Sequence, residues 1–115
     1  MKNNNIFKKI INHEISSNII YQDNLITAFY DINPKAPVHI LLVPNIEIST
    51  MNEINNKHKN ILTRLMTVAV KIAIKKKINK SGYRLVINCN KHGCQDVYHL
   101  HIHLLGGKPL GPFCT

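Results

Sequence analysis

The stretch YHLHIHLLGG, Tyr98–Gly107, places a histidine at every second position and then ends on two glycines. In an extended strand, successive side chains point to opposite faces, so residues two apart lie on one face, about 7 Å from each other. The alternation therefore predicts a strand over residues 99–105 with a row of imidazoles on one face, those of His99, His101 and His103. The aliphatic residues between them should point into the core.

Hydrophobic periodicity in the rest of the chain predicts two helices and four further strands. A short helix should follow Asn5, a residue suited to the N-cap, and one long helix should run from about residue 55 to 77. Thr50 and Glu53 stand at capping-box spacing near the start of that long helix. Strands are expected on both sides of a turn at Asp23 and Asn24, at residues 39–43 and at residues 83–88. The predicted fold class is α+β, with about five mostly antiparallel strands and both helices on one face of the sheet.

Length and composition limit the class of protein. A chain of 115 residues suits a single domain, residues 1–115, and 44% hydrophobic with 18% charged residues is ordinary for a globular protein. No apolar run approaches the ~20 residues that span a bilayer, and the N-terminal segment lacks the features of a signal peptide. Three cysteines, an odd number, are best interpreted as reduced thiols. We therefore expect a cytoplasmic protein without a membrane partner.

The net charge of +9 raises the question of a nucleic-acid partner. The basic residues are scattered lysines, with arginine only at positions 64 and 84, and no basic run is interleaved with aromatic residues as in single-strand binders. The same chain is rich in asparagine and isoleucine, which is typical of an A+T-rich genome. Solvated surface charge is the better interpretation, and no nucleic-acid partner is predicted.

The histidine row permits three interpretations. Two histidines on a strand can bind zinc, but three in line would require the strand to curl, and Asp96 is the only acidic residue near them. An edge strand that carries histidines by chance is the least informative alternative. Covalent catalysis is the third: a neutral imidazole at His101 attacks phosphorus, an acceptor holds its other N–H, and the flanking histidines donate to phosphate oxygens. Gly93 and nearby backbone N–H groups would let a phosphate approach closely.

The segment GCQDVYHLHIHLLGG resembles the signature of the histidine triad (HIT) superfamily, and the fuller match is to its Hint branch, the purine nucleotide phosphoramidases. IFKKIINHEI, DINPKAPVHILLVPN, GYRLVIN and GGKPLGP extend the resemblance over residues 6–112. It implies hydrolysis of the P–N bond in purine nucleoside 5′-phosphoramidates, with release of AMP or GMP and without a metal or cofactor. It also implies a homodimer in which two sheets join into one. The alternative is a nucleotide-binding regulatory module with little turnover.

The resemblance also implies a role for individual residues. His101 corresponds to the nucleophile that is transiently nucleotidylated, His99 and His103 to the phosphate-binding flanking members, and His39 to a fourth histidine behind the triad. The implied phosphate contacts are Asn88, Gln95 and Val97, and the implied ribose ligand is Asp31. The implied base pocket consists of Ile6, Phe7, Ile10, Phe29, Ile32 and Leu41.

Three positions depart from the family pattern, and one of them, Tyr30, replaces another polar group beside the ribose contact. Asp96 lies where many relatives carry serine; when ionised it would repel phosphate unless it turns toward an imidazole, and when protonated it could act as a general acid on the leaving amine. Cys94 lies where glycine is usual, so the loop should adopt positive φ less freely. The family's C-terminal tail is expected to be curtailed after Pro112.

Overall fold

The computed structural model describes residues 5–113 and contains one five-stranded sheet. The strands are β1 (Ile19–Gln22), β2 (Ile26–Tyr30), β3 (Val38–Pro44), β4 (Tyr83–Val86) and β5 (Ile102–Gly106). Their order in the sheet is β1-β2-β3-β5-β4, and every neighbouring pair is antiparallel. The predicted α+β class and strand number are confirmed.

The two predicted helices are present, α1 (Ile6–Ile11) and α2 (Lys59–Lys75). Asn5 is the N-cap of α1, and its side-chain oxygen accepts a hydrogen bond from the backbone N–H of Lys8. The predicted start of the long helix was wrong. Thr50 instead caps a separate 3₁₀ turn, Met51–Glu53, and a second turn, Asn56–His58, leads into α2.

The helices lie on opposite faces of the sheet, so the expectation that they share one face was wrong. The buried stripe of α2 packs on one face of the sheet, against residues that include Ile40 and Leu42 of β3. Helix α1 packs on the other face, where Phe7 and its neighbours contact Phe29 and Leu41. The physical reason is that β2 and β3 are apolar on both faces, so a helix must pack on each face to bury it. The face that carries α1 is also the face of the site.

The predicted histidine strand is shorter than expected, because β5 begins only at Ile102. Of the three triad histidines only His103 lies in the strand. The segment before it makes other hydrogen bonds: the backbone N–H of Leu100 donates to the carbonyl of Ile48 over 2.6 Å. The intervening aliphatic residues are buried as predicted. The strand ends at Gly106. The next residue, Gly107, has a φ of 95° and lies so close to Pro37 that a side chain would not fit.

Within residues 5–113, no helix is long and apolar enough to cross a membrane. Cys89 and Cys94 are free thiols, and Cys94 is exposed. Cys114 lies outside the described residues.

Candidate active site

A cleft between α1 and the sheet brings most of the predicted site residues together. Its volume is about 180 Å³, and its lining includes every residue assigned to the base pocket: Ile6, Phe7, Ile10, Phe29, Ile32 and Leu41. Its polar lining includes Asp31, Asp96, His101 and His103. A second cavity of about 260 Å³ shares Asp31, Asp96 and His103 and adds Asn88 and His39. One side of the site is thus apolar and the other polar.

His101 is held in a single orientation and tautomer. Its Nδ1 lies 2.7 Å from the backbone carbonyl of His99, an acceptor, so Nδ1 carries the proton. Nε2 therefore keeps its lone pair. This nitrogen lies on the cleft side, 3.7 Å from Oδ1 of Asp96, and the ring is only 3% exposed. The acceptor that a nucleophilic imidazole requires is a backbone carbonyl of the triad itself.

His39 and His103 form a second chain of hydrogen bonds whose direction is set by the backbone. The N–H of Lys35 donates to Nδ1 of His39 over 3.0 Å, so the proton of His39 lies on Nε2. That Nε2–H donates to Nδ1 of His103 over 2.9 Å. His103 must then carry its own proton on Nε2, and this N–H is a donor available at the cleft, beside the lone pair of His101.

Burial keeps these imidazoles neutral. Burial, as the largest cause, together with the neighbouring His101 and His39, lowers the pKa of His103 to about 4. Burial also lowers the pKa of His39, although the carboxylate of Asp31 opposes the shift. The site therefore presents His103 as a neutral hydrogen-bond donor at neutral pH, supported by a neutral His39.

His99 does not reach the cleft in this structure. Its ring is fully buried, with Nε2 2.8 Å from the carbonyl of Pro44 and Nδ1 2.8 Å from the amide nitrogen of Asn5. Both ring nitrogens are thus occupied by protein groups, which leaves none for the phosphate contact expected from the sequence. Burial, as the largest cause, lowers its pKa as well.

Asp31 lies at the mouth of the cleft, immediately after β2. Its Oδ1 accepts a hydrogen bond from the backbone N–H of Asn33 over 2.8 Å, which fixes the carboxylate. Its Oδ2 lies 3.4 Å from Nε2 of His39. Lone pairs of Oδ2 remain available on the cleft side, as a ligand with two neighbouring hydroxyls would require.

Asp96 is turned toward the imidazole of His101, the arrangement that the sequence analysis gives for an ionised aspartate at this position. Its Oδ1 accepts from the backbone N–H of Val97 over 2.9 Å, and the side chain is 82% exposed. The backbone N–H of Val97 is thus engaged by this carboxylate, and only the position of Val97 in the cleft wall matches the expectation. The carboxylate borders both cavities, so it lies beside the space that a phosphate would enter.

The loop before the triad differs from expectation at Gln95. Its side-chain amide donates to the carbonyls of Ser49 and Val97, and its oxygen accepts from the N–H of Asn90. Gln95 is buried and lines neither cavity, so the structure gives it a loop-holding role in place of the expected phosphate contact. Asn88 does line the second cavity, and its amide donates to the carbonyl of Gly93.

Gly93 and Cys94 shape this loop through their backbone. A Cβ on Gly93 would lie 2.6 Å from the carbonyl oxygen of Cys89, so glycine is required by a close backbone approach rather than by a phosphate. Cys94 adopts φ of 61°, a left-handed conformation that is strained for cysteine. The loop therefore keeps a glycine-like conformation without the glycine.

One group of side chains among the described residues has metal-ligand character. Ligand atoms of Asp31, His39 and His103 lie within 4.8 Å of one another. To bind a metal through Nε2, His39 would have to move its proton to Nδ1 and give up the hydrogen bond from Lys35. The three triad histidines do not form such a group with one another.

Three contacts that support the site could not be predicted from the sequence. They are the amide of Asn5 on His99, the backbone N–H of Lys35 on His39, and the carbonyl of Pro44 on His99. Asn5 had a visible signal, but only as a helix cap. The two backbone groups carry no residue-specific signal at all.

Comparison with known proteins identifies the family. The HIT domain model matches residues 12–110. Purine nucleoside phosphoramidase of Escherichia coli (strain K12) is 56% identical over 112 residues, which cover 97% of this chain and 94% of that protein. A HIT family hydrolase from Clostridium thermocellum superposes with a TM-score of 0.93 at 43% identity, with full coverage of both chains. A histidine triad protein from Clostridium difficile has a TM-score of 0.91 at 40% identity, covering 98% and 99%. The chain therefore belongs to the HIT domain family.

Proposed function

We propose that this single-domain chain is a purine nucleoside phosphoramidase that cleaves the P–N bond through a nucleotidyl-histidine at His101. The coarser activity, a nucleotide hydrolase, is supported by the similarity to the Escherichia coli enzyme. The observation that carries the finer proposal is the tautomer of His101: Nδ1–H is bound to a backbone carbonyl, and Nε2 is left as a lone pair in the cleft.

In the first step, Nε2 of His101 attacks the α-phosphorus, an Nε2–P bond forms, and the P–N bond breaks. The electron pair of that bond leaves with the amine, which takes a proton. The ring keeps its Nδ1 proton and becomes cationic, and the carbonyl of His99 stabilises this charge. Asp96, when protonated, is placed near enough to supply the proton to the amine.

The Nε2–H of His103 is the donor that stabilises charge on the phosphate oxygens as they become more negative. Donors of this kind contribute about 10²–10³-fold to rate when they are held in place before the reaction. His39 keeps the donor in the correct tautomer, because it supplies the proton at the opposite nitrogen.

In the second step, water attacks the phosphorus, the Nε2–P bond breaks, and its electron pair returns to Nε2. One proton of the water stays on the new phosphate hydroxyl, and the other passes to the carboxylate of Asp96 or to solvent. The products are AMP or GMP and neutral His101. No other reactant is needed, and neither step requires a metal or cofactor.

The apolar side of the cleft is proposed to bind the base, and Asp31 the ribose. Phe7, Phe29 and Leu41 form a buried floor, whereas Ile32 is 80% exposed at the rim, where a planar base would cover it. Aliphatic and aromatic walls bind the faces of a purine and do not contact its edge, so adenine and guanine should be accepted alike. Asp31 can accept hydrogen bonds from both ribose hydroxyls.

The test is single-turnover kinetics with an adenosine 5′-phosphoramidate labelled at phosphorus. Wild-type protein, quenched during turnover, should carry label on a histidine and release AMP. His101→Ala should show neither, whereas His13→Ala, a substitution at an exposed histidine outside the cleft, should behave as wild type. Full turnover by His101→Ala would refute the nucleophile. Nucleotide binding with no turnover by wild type would favour the regulatory module.

A metal-dependent hydrolase is the rival that the group of Asp31, His39 and His103 permits. Turnover of the wild type in a strong chelator should equal turnover in its absence. Loss of activity with chelator, restored by zinc, would favour the metal-dependent reaction.

The functional unit is proposed to be a cytoplasmic homodimer. Strand β4 is an edge of the sheet, and edges with open hydrogen-bonding groups favour pairing with a second copy. On α2, Met66, Val70 and Ile74 are 42%, 46% and 55% exposed at four-residue spacing, an apolar stripe on the surface. Sedimentation should give the mass of a dimer for the wild type and of a monomer for Val70→Lys; a monomeric wild type would contradict the proposal.

A further inference from the structure

The side chain of Asn5 has two partners, and only one of them belongs to its helix. Its oxygen accepts from the N–H of Lys8, as an N-cap should, at 3.2 Å. This bond fixes which way the amide is turned, so that its nitrogen is directed at Nδ1 of His99, 2.8 Å away. An amide nitrogen only donates, and Nδ1 of His99 must therefore be the acceptor.

The consequence for His99 is a single tautomer. With Nδ1 accepting, the proton lies on Nε2, where it is donated to the carbonyl of Pro44 at the end of β3. The ring is fully buried between these two partners and cannot turn without losing both. The backbone carbonyl of this same residue is the group that holds Nδ1–H of His101.

We propose that Asn5 is a positioning residue for catalysis, which couples the base-binding helix α1 to the nucleophile His101 through the ring of His99. This inference rests on the proposed function and extends it to a residue outside the triad. Helix α1 supplies Ile6, Phe7 and Ile10 to the base pocket, and its cap residue determines the state of the triad's first histidine.

A second contact also links helix α1 to the triad. The ring of Phe7 meets the rings of His99 and His101 edge to face, with centroids 6.1 and 5.0 Å apart. A base that packs against α1 therefore contacts a helix that is linked to His101 directly through the ring of Phe7 and indirectly through the hydrogen bond from Asn5 to His99. Loss of the Asn5 bond should lower the rate of phosphoryl transfer more than it weakens nucleotide binding.

Asn5→Asp is the isosteric test, because it replaces the donating NH₂ by an accepting, negatively charged oxygen of the same size. Aspartate is as good an N-cap as asparagine, so α1 should form. Nδ1 of His99 would then face an acceptor and take up a proton, which makes the ring an imidazolium. The other charged or titratable groups that act on His99 are Lys8, Glu47 and His101, and none of them is changed. Asn12→Ala, at the C-cap of α1, is the matched control.

Two measurements are made on each protein. Nitrogen-15 NMR of the imidazoles reports the tautomer of His99 without reference to activity, and single-turnover kinetics separate nucleotide affinity from the rate of transfer. In Asn5→Asp we expect the Nδ1 resonance of His99 to move to the protonated position and the transfer rate to fall about tenfold, as for outer partners of functional histidines. Affinity for AMP should change less than the rate.

An unchanged tautomer of His99, or a wild-type transfer rate in Asn5→Asp, would overturn the inference. An equal loss in Asn12→Ala would do so too, because it would show a general effect of helix stability. If Asn5→Asp does not fold, Asn5→Ser serves in its place, since serine keeps a capping oxygen and lacks the amide donor. Absence of AMP release by the wild type would contradict the proposed function instead, while the NMR result would still decide the state of His99.

Discussion

Acid should destabilise this protein through His103 before its carboxylates titrate. Burial lowers the pKa of His103 from 6.5 to about 4, so the native state binds fewer protons than the unfolded chain between these values. Stability therefore rises with pH in this interval, is complete above pH 6.5, and is lost as the pH falls toward 4. The shifts of His39 and His99 have the same direction and add to the effect.

The expected loss in the free energy of unfolding follows from the pH interval over which His103 titrates. At 1.36 kcal/mol per pKa unit, a decrease from pH 6.5 to about pH 5 removes at most about 2 kcal/mol through His103. The ring is only partly buried, so solvent screening reduces this contribution to about 1 kcal/mol. Urea unfolding at about pH 7.5 and about pH 5 measures the loss, with m of about 1–3 kcal/mol per molar converting midpoints to free energies.

The control is His103→Gln, whose amide oxygen can still accept the hydrogen bond from Nε2 of His39. This variant lacks the titrating ring, and its free energy of unfolding should fall about 1 kcal/mol less than that of the wild type between the two pH values. The same pH dependence in both proteins would refute the argument that a neutral, partly buried His103 is part of the native site.

Three further predictions concern the cleft and its loop. Cys94→Gly should raise the free energy of unfolding by about 0.5–1 kcal/mol, because left-handed strain is relieved at some cost in unfolded-chain entropy; thermal unfolding with a lower midpoint would contradict this. Asp31→Asn should raise KM about tenfold for ribonucleotide substrates, as expected for loss of a hydrogen bond to a charged group, and an equal effect on a 2′-deoxynucleotide substrate would exclude ribose binding. Asp96→Ser should raise kcat/KM about two- to fivefold at low salt if the carboxylate repels phosphate, and this gain should shrink as salt is added. A lower kcat in Asp96→Ser would instead identify Asp96 as the general acid.

The sequence predicted the helices and strands better than it predicted their arrangement around the sheet. Apolar periodicity located α2 and all five strands, because both depend on local alternation of buried and exposed side chains. It did not predict that α1 covers the opposite face from α2. That arrangement depends on β2 and β3 being apolar on both faces. Phe29 and Leu41 are the apolar residues on the α1 side, and the need for a second helix arises from the two strands together rather than from either strand alone. The strand at the triad was overestimated for a related reason: alternation continues through residues 99–101 although their backbone does not join the ladder.

The chemistry of the site depends on protons, and proton positions are set by groups that carry no signature in the sequence. The spacing of the histidines predicted a row of imidazoles, and the resemblance to the HIT superfamily implied which apolar side chains would line the cleft. Which nitrogen of each ring is basic follows from the carbonyl of His99, the N–H of Lys35 and the amide of Asn5. Two of these are backbone groups, present at every residue, and only the fold brings them within 3.0 Å of a ring. The direction of the hydrogen bonds, and with it the identity of the nucleophilic atom, is therefore a property of the folded chain that no motif contains.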